Sequence, residues 1–123
     1  MNFKTKLVIY NINKSIAKRG LETGGRVQQY VDNEVLKLSD PYIPFLSGDL
    51  KKSGIRHTVI GSGKVRYKTP YARRQYYTNA GRGIQGLSKG GNRGKYWFER
   101  MKNDHLNEIL DGAAKIAGGR GDK

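Results

Sequence analysis

Two histidines, His57 and His105, are the only side chains of this 123-residue chain whose ordinary pKa suits proton transfer near neutrality. His57 lies among residues that alternate like a strand, and His105 falls between Met101 and Ile109 on the apolar face of a predicted helix. Each reads as a packed, hydrogen-bonded residue rather than a catalyst. His105 and Glu108 stand three apart, so both can reach one metal ion from a helix, but no second pair completes the three protein ligands a zinc site needs. They read as solvated helix residues. Asp104, Glu108 and Asp111 share a helix face, yet carboxylate-pair hydrolysis needs two acids converging on one cleft, and no basic or nucleophilic partner is marked beside them. Gly81-Arg82-Gly83-Ile84-Gln85-Gly86 matches the dinucleotide fingerprint letter for letter. That fingerprint requires a strand before it and a helix after it; here a helical segment precedes and more glycine follows. The chain has no cysteine, hence no thiolate nucleophile, disulfide or Cys-ligated zinc. Arg120-Gly121-Asp122 spells an adhesion tripeptide in a glycine-rich tail and carries little information. No catalytic residue, metal or cofactor is expected.

Charge carries more. Lys and Arg number 24 against 10 Asp and Glu, a formal net charge of +14. Residues 51–98 hold 12 of those cations and no acid; the acids lie at the two ends of the chain. A block of one sign points to a binding face or a basic loop, and its natural partners are polyanions or acidic protein surfaces. The 12 aromatics, eight of them Tyr, are too many for a disordered tail. No stretch approaches the roughly 20 apolar residues of a membrane span, and the apolar run at residues 7–10 is too short for a secretory signal. The expectation is one small cationic domain over residues 1–123.

Several elements are legible. Phe3, Thr5, Leu7 and Ile9 alternate as a strand, and Ile12, Ile16 and Ala17 fit a short helix ending near Gly20. Thr23 is a candidate N-cap for a second helix, with Val27, Tyr30, Val31, Val35 and Leu38 on one face and Ser39-Asp40-Pro41 as its stop. Ser47 is placed to cap a helical turn through Leu50 to Ser53. Ile55, His57 and Val59, then a Gly61-Ser62-Gly63 turn, then Val65 and Tyr67, predict a β-hairpin with one apolar and one basic face. Pro70 suits the first position of a short helix carrying Tyr71 to Tyr77. Residues 80–95 hold six glycines and four cations, which predicts a long mobile loop. A last helix from near Lys95 carries Trp97, Phe98, Met101, Leu106, Ile109, Ala113 and Ile116 as a stripe, and residues 118–123 are expected to fray. The fold class is α+β: a small antiparallel sheet, from the N-terminal strand plus the hairpin, packed on helices, with a long glycine-rich basic loop.

In the basic block, Arg56, Lys64, Arg66, Lys68, Arg73, Arg74, Arg82, Lys89, Arg93 and Lys95 are available to phosphates, and Tyr67, Tyr71, Tyr76 or Tyr77 to stack bases. Equally, the tyrosines serve as core or interface residues and the charges face solvent or acidic neighbours. Assembly is the further option, since aromatics and arginine are enriched in interface cores and open sheet edges are often buried in a neighbour.

Ser39-Asp40-Pro41-Tyr42-Ile43-Pro44, followed by Ser47-Gly48-Asp49-Leu50-Lys51-Lys52-Ser53, resembles a signature of small tailed-phage neck proteins. Thr69-Pro70-Tyr71-Ala72-Arg73-Arg74-Gln75-Tyr76-Tyr77, a variable loop and then Trp97-Phe98-Glu99-Arg100 resemble the ordered motifs of the phage minor capsid protein family, over roughly residues 20–117. The chain departs from that pattern at Leu46-Ser47-Gly48, where the family has an acid and then Thr-Gly; Ser47 keeps the hydroxyl. The resemblance implies a non-enzymatic virion component at the head–tail junction, made in the host bacterial cytoplasm. It implies a homo-oligomeric ring against the portal, adaptor, stopper or tail tube, with no membrane partner. On that reading Pro44, Ser47, Gly48, Leu50, Ser53, Pro70, Tyr71, Ala72, Tyr76, Tyr77, Trp97 and Phe98 are structural or interface residues. Arg66, Arg73, Arg74, Arg82 and Arg93 would meet acidic partners or DNA. The alternative is a nonspecific nucleic-acid-binding basic module.

Overall fold

The structure is a computed structural model of the chain, and it describes residues 1–5, 25–45 and 48–117. Its elements are β1 (Asn2–Lys4), α1 (Arg26–Ser39), a 3-10 turn (Asp40–Tyr42), α2 (Asp49–His57), β2 (Lys64–Arg66), α3 (Ala72–Thr78), a second 3-10 turn (Leu87–Lys89) and α4 (Trp97–Ala117). β1 and β2 pair antiparallel, with Asn2 opposite Arg66, Phe3 opposite Val65 and Lys4 opposite Lys64. The fold class is α+β, as expected from the sequence. The short helix expected around Ile12 to Gly20, the Thr23 cap, Ser47 and the tail from 118 lie outside the described residues.

α1 forms where the apolar spacing of three and four placed it. Val27, Val31 and Val35 are buried along one face, and the helix passes at Asp40-Pro41 into the 3-10 turn. That face packs against α4, the most extensive contact between elements, through Met101, Ile109 and Ala113. Tyr42 follows α1 into the core edge; its hydroxyl donates to Asp104 Oδ2 at 2.6 Å. Burial above all, and then this carboxylate, push the Tyr42 phenol up to about 12, so it remains a donor at neutral pH.

The first arm of the expected hairpin is helical. Ile55 and His57 belong to α2, and β2 pairs with the N-terminal strand instead of with residues 55–59. Two features favour the helix. Asp49 lies in its first turn and Arg56 in its last, each charge at the favourable end of the dipole. Leu50, Ser53 and Gly54 form a buried face, with Ser53 Oγ donating to Leu50 O at 2.7 Å. The alternation of Ile55, His57 and Val59 is therefore an outer helix face running into a turn; Ile55 and Val59 are exposed. Gly54 is required by close approach, because a Cβ there would lie 2.5 Å from the Tyr67 ring.

A ring cluster joins the sheet to α3 and α4. Phe3 stacks on Phe98 at 4.7 Å between centroids and meets Tyr76 at 4.9 Å; Trp97, fully buried, sits edge-on to Tyr76 at 4.7 Å and to Tyr67 at 5.6 Å. Such offset and edge geometries add about 0.5–1.5 kcal/mol per pair beyond area burial.

Beneath the sheet, Asp32 of α1 is buried, with no ion-pair partner among the described residues. Its Oδ2 accepts the backbone N–H of Gly61 (2.8 Å) and Gly63 (3.1 Å), and its Oδ1 accepts the Thr5 hydroxyl and the Gln28 amide (2.9 Å). Thr5 N–H in turn donates to Gly63 O at 2.9 Å. Asp32→Ala leaves these donors buried and unmatched, and should lower stability by about 2–4 kcal/mol in urea unfolding followed by Trp97 emission. A loss under about 0.5 kcal/mol would show that the turn holds itself. Gly54→Ala is expected to cost about 1–3 kcal/mol in the same assay, because overpacking against Tyr67 outweighs the gain in helix propensity.

Candidate assembly interface

α3 carries the Tyr71 to Tyr77 motif, and its two sides differ in environment. Ala72 and Tyr76 are buried, Tyr76 within the ring cluster, and burial pushes its phenol up to about 12. Arg73, Arg74, Tyr77 and Thr78 are exposed. On one side of the helix lies an open groove of about 460 Å³ lined by Met1, Asn2, Phe3, Arg73, Tyr76, Tyr77, Tyr96 and Glu99. On the other lies one of about 520 Å³ lined by Tyr71, Arg74, Gln75, Thr78, Asn79, Ala80, Arg82 and Gly83. The motif thus presents Arg73, Tyr76 and Tyr77 to the first groove and Tyr71 and Arg74 to the second.

Tyr96, not singled out by sequence, completes the first groove. It takes a left-handed φ of 56°, costly for a residue with a Cβ. Its N–H donates to Tyr76 O at 2.8 Å, and its ring meets Tyr76 and Tyr77 edge-on at 5.7 and 6.1 Å. That backbone turn starts α4 and leaves Tyr77 and Tyr96 exposed side by side, at 48% and 41%. The only sequence signal was a third tyrosine directly before Trp97.

Residues 80–95 contain one 3-10 turn and one isolated bridge, Gly86 with Arg93. Lys95 N–H donates to Asn79 O, closing the neck, and Leu87 N–H to Arg93 O, Ser88 N–H to Gly81 O and Arg93 N–H to Gln85 O cross the interior. Gly86 is required there, since an added Cβ would lie 2.1 Å from Gly81 O. Arg93 turns inward. Its Nη1 donates to the carbonyls of Asp40 and Ile43, its Nε to Gln85 Oε1 at 2.9 Å, and its Nη2 lies 3.4 Å from Asp40 Oδ1. The arginine expected to meet an external anion is thus committed to the 40–43 segment of its own subunit, whereas Arg66, Arg73, Arg74 and Arg82 are exposed.

The segment that resembles a neck-protein signature is mostly internal. Pro44, Gly48, Leu50 and Ser53 are buried, with Gly48 at φ 81° leading into α2. Trp97 and Phe98 are core residues; Pro70 is exposed and Tyr71 half-buried. Arg100 lies over the Tyr42 ring at 5.4 Å and donates to Lys95 O and Asn92 O, which ties α4 to the loop. Burial lowers its pKa from the ordinary arginine value. Three of the four acids of α4 are engaged locally: Asp104 with Tyr42, Glu99 with Lys102, and Glu108 with His105 Nδ1 at 3.0 Å. Among the described residues no group of three or more His, Asp or Glu could hold a metal ion, and no helix is long and apolar enough to cross a membrane.

The outer face of the sheet is the second charged surface. Phe3 and Val65 point inward, so Asn2, Lys4, Lys64 and Arg66 are exposed, and Lys68 follows. Burial first, then the fields of Arg66, Arg73 and Lys68, hold the Met1 amino group below its ordinary pKa, which places these cations around one end of the strand pair.

These features define a subunit built around presented surfaces, with its conspicuous side chains either in a core or on an exposed helix. The minor capsid protein family model matches residues 3–116, and the chain belongs to that family. It is accordingly a structural component of a virus particle. No curated protein and no solved structure matches it.

Lys4 and Lys64 face each other directly across the ladder, a like-charge pair that destabilises. Lys64→Glu is therefore expected to raise the melting temperature of the isolated chain by roughly 1–4 °C, with the gain shrinking at high salt. A lowered melting temperature would show that the pair does not repel.

Proposed function

We propose that the chain is a neck or tail-completion subunit of a tailed bacteriophage, joining head to tail as a homo-oligomeric ring that docks on the portal or tail tube. The observation that carries this reading is the motif helix α3, anchored inward by Ala72 and Tyr76 while Arg73, Arg74 and Tyr77 face open grooves. Tyrosine and arginine are the residue types that dominate interface cores, because they bury large area and pair with carboxylates or carbonyls at low entropic cost. Ile84 and Leu87 are exposed on the adjoining loop and offer apolar surface to a neighbouring subunit. The role asks for no turnover: the subunit acts by geometry, matching copies of itself and the adjoining rings.

The test is incorporation. Tyr77→Ala combined with Tyr96→Ala removes two exposed rings while leaving Trp97 and Tyr76 in place. The variant is expected to fold normally by Trp97 emission and to be depleted from particles, with tail-less heads accumulating. Tailed, infectious particles containing the variant at normal copy number would refute the assignment of this surface. The loop at 81–94 should be cut by protease in the free chain and protected in particles; equal cutting in both would remove it from the contact.

A further inference from the structure

We infer that the outer face of the two-stranded sheet is a binding surface for the phosphodiester backbone of duplex DNA. Lys64 and Arg66 are two residues apart on β2, about 6.6 Å along the strand. Lys4 lies directly opposite Lys64, at the roughly 5 Å separation of cross-strand neighbours, and Lys68 continues the row. The four cations fall within or near one Debye length at 0.1 M salt and act on an approaching anion together. None of them has an ion pair among the described residues, and the one carboxylate beneath the sheet, Asp32, is turned inward and filled by four donors. Like charges set opposite each other, with no counter-charge among the described residues, are suited to an anionic ligand.

The composition of the face separates DNA from an acidic protein. Protein interfaces are depleted in lysine at their cores and rely on aromatic or arginine anchors, whereas DNA-binding faces are more polar and far more cationic. The groove over this face is lined by Asn2, His57, Val59, Ser62, Lys64 and Arg66, with one apolar side chain and no Tyr, Trp or Phe. The aromatic anchors are on α3 instead. Strand addition is also disfavoured at β2, because Arg66 N–H donates to Thr58 Oγ1 (2.9 Å) and Lys64 N–H to Ser62 Oγ (3.3 Å). Mobile lysines acting as point charges suit sequence-independent contact with phosphates.

The inference rests on the head–tail reading only for where duplex DNA is met. It is measured on the isolated full chain, and assembly is read in particles, so either can fail alone. Anisotropy of a labelled 25-base-pair duplex is titrated with protein between 50 and 200 mM salt. Four phosphate contacts give a slope near −3.6 in log K against log salt, a roughly 150-fold loss over that range. Lys64→Gln/Arg66→Gln should reduce the slope to about −1.8 and the loss to roughly 12-fold. The charge-matched Lys102→Gln/Lys115→Gln on α4 should keep the full slope. An unchanged slope in the sheet variant, or no duplex binding at 50 mM salt, would overturn the inference. So would polyglutamate of equal charge binding the wild type more tightly than the duplex and losing that advantage in the sheet variant, an outcome that assigns the face to an acidic protein.

Discussion

The buried carboxylate of Asp32 sets the frame of the molecule. A carboxylate removed from water without a cation is strongly unfavourable unless donors replace its hydration. Here four do: two glycine N–H groups, the Thr5 hydroxyl and the Gln28 amide. Charge-assisted bonds of this kind are roughly twice as strong as neutral ones, and they leave little freedom in where the donors sit. Because Gly61 and Gly63 are both held from α1, the chain leaves α2 at a fixed place and turns into β2 at a fixed register. Thr5 N–H on Gly63 O then fixes β1 against it. The strands are three residues each and would not persist as an isolated pair.

From that register the two faces of the sheet follow. The inward set, Phe3, Val65 and then Tyr67, meets Tyr76, Trp97 and Phe98, so the N-terminal strand nucleates a ring cluster whose other members come from α3 and α4. The outward set is cationic by the same alternation. A slip of one residue would put lysines into the ring cluster, so core packing and surface charge are locked to one register. A second anchor acts at the opposite end, where Arg93 reaches the carbonyls that follow α1 and draws the 80–95 segment onto the 40–43 turn.

Long-period features were legible in the sequence. The three-and-four spacing of α1 and the stripe of α4 each extend over many residues, and the structure follows both. The hairpin failed because three alternating residues, Ile55, His57 and Val59, do not separate a strand from the outer face of a short helix; the deciding facts were the Gly54 contact with Tyr67 and the charges at the ends of α2. Residue type alone also could not distinguish Arg93 from Arg73 and Arg74. The difference lies in which carbonyls are left unpaired after α1, a property of three-dimensional packing. Asp32 did leave a trace: with Gln28, four residues earlier, it lies beside the Val27, Val31, Val35 stripe, where an apolar residue would ordinarily extend the face.

Charge and stability are carried by separate parts of this chain. Among the described residues the buried side chains are aliphatic and aromatic, with the polar Thr5, Gln28, Ser39 and Ser53 and the carboxylate of Asp32, so the exposed cations of β1, β2, α3 and the loop bear on folding mainly through their mutual repulsion. A net charge of +14 on 123 residues makes that repulsion unfavourable for the isolated subunit and more so for any assembly of copies, whose like charges would sum. A ring of such subunits, as proposed above, would therefore gain stability from an anion that it encloses or abuts. Under the proposal made above, assembly would be coupled to the polyanion: contacts around α3 would orient the subunits, and neutralisation of the sheet face would remove the repulsion that opposes bringing them together.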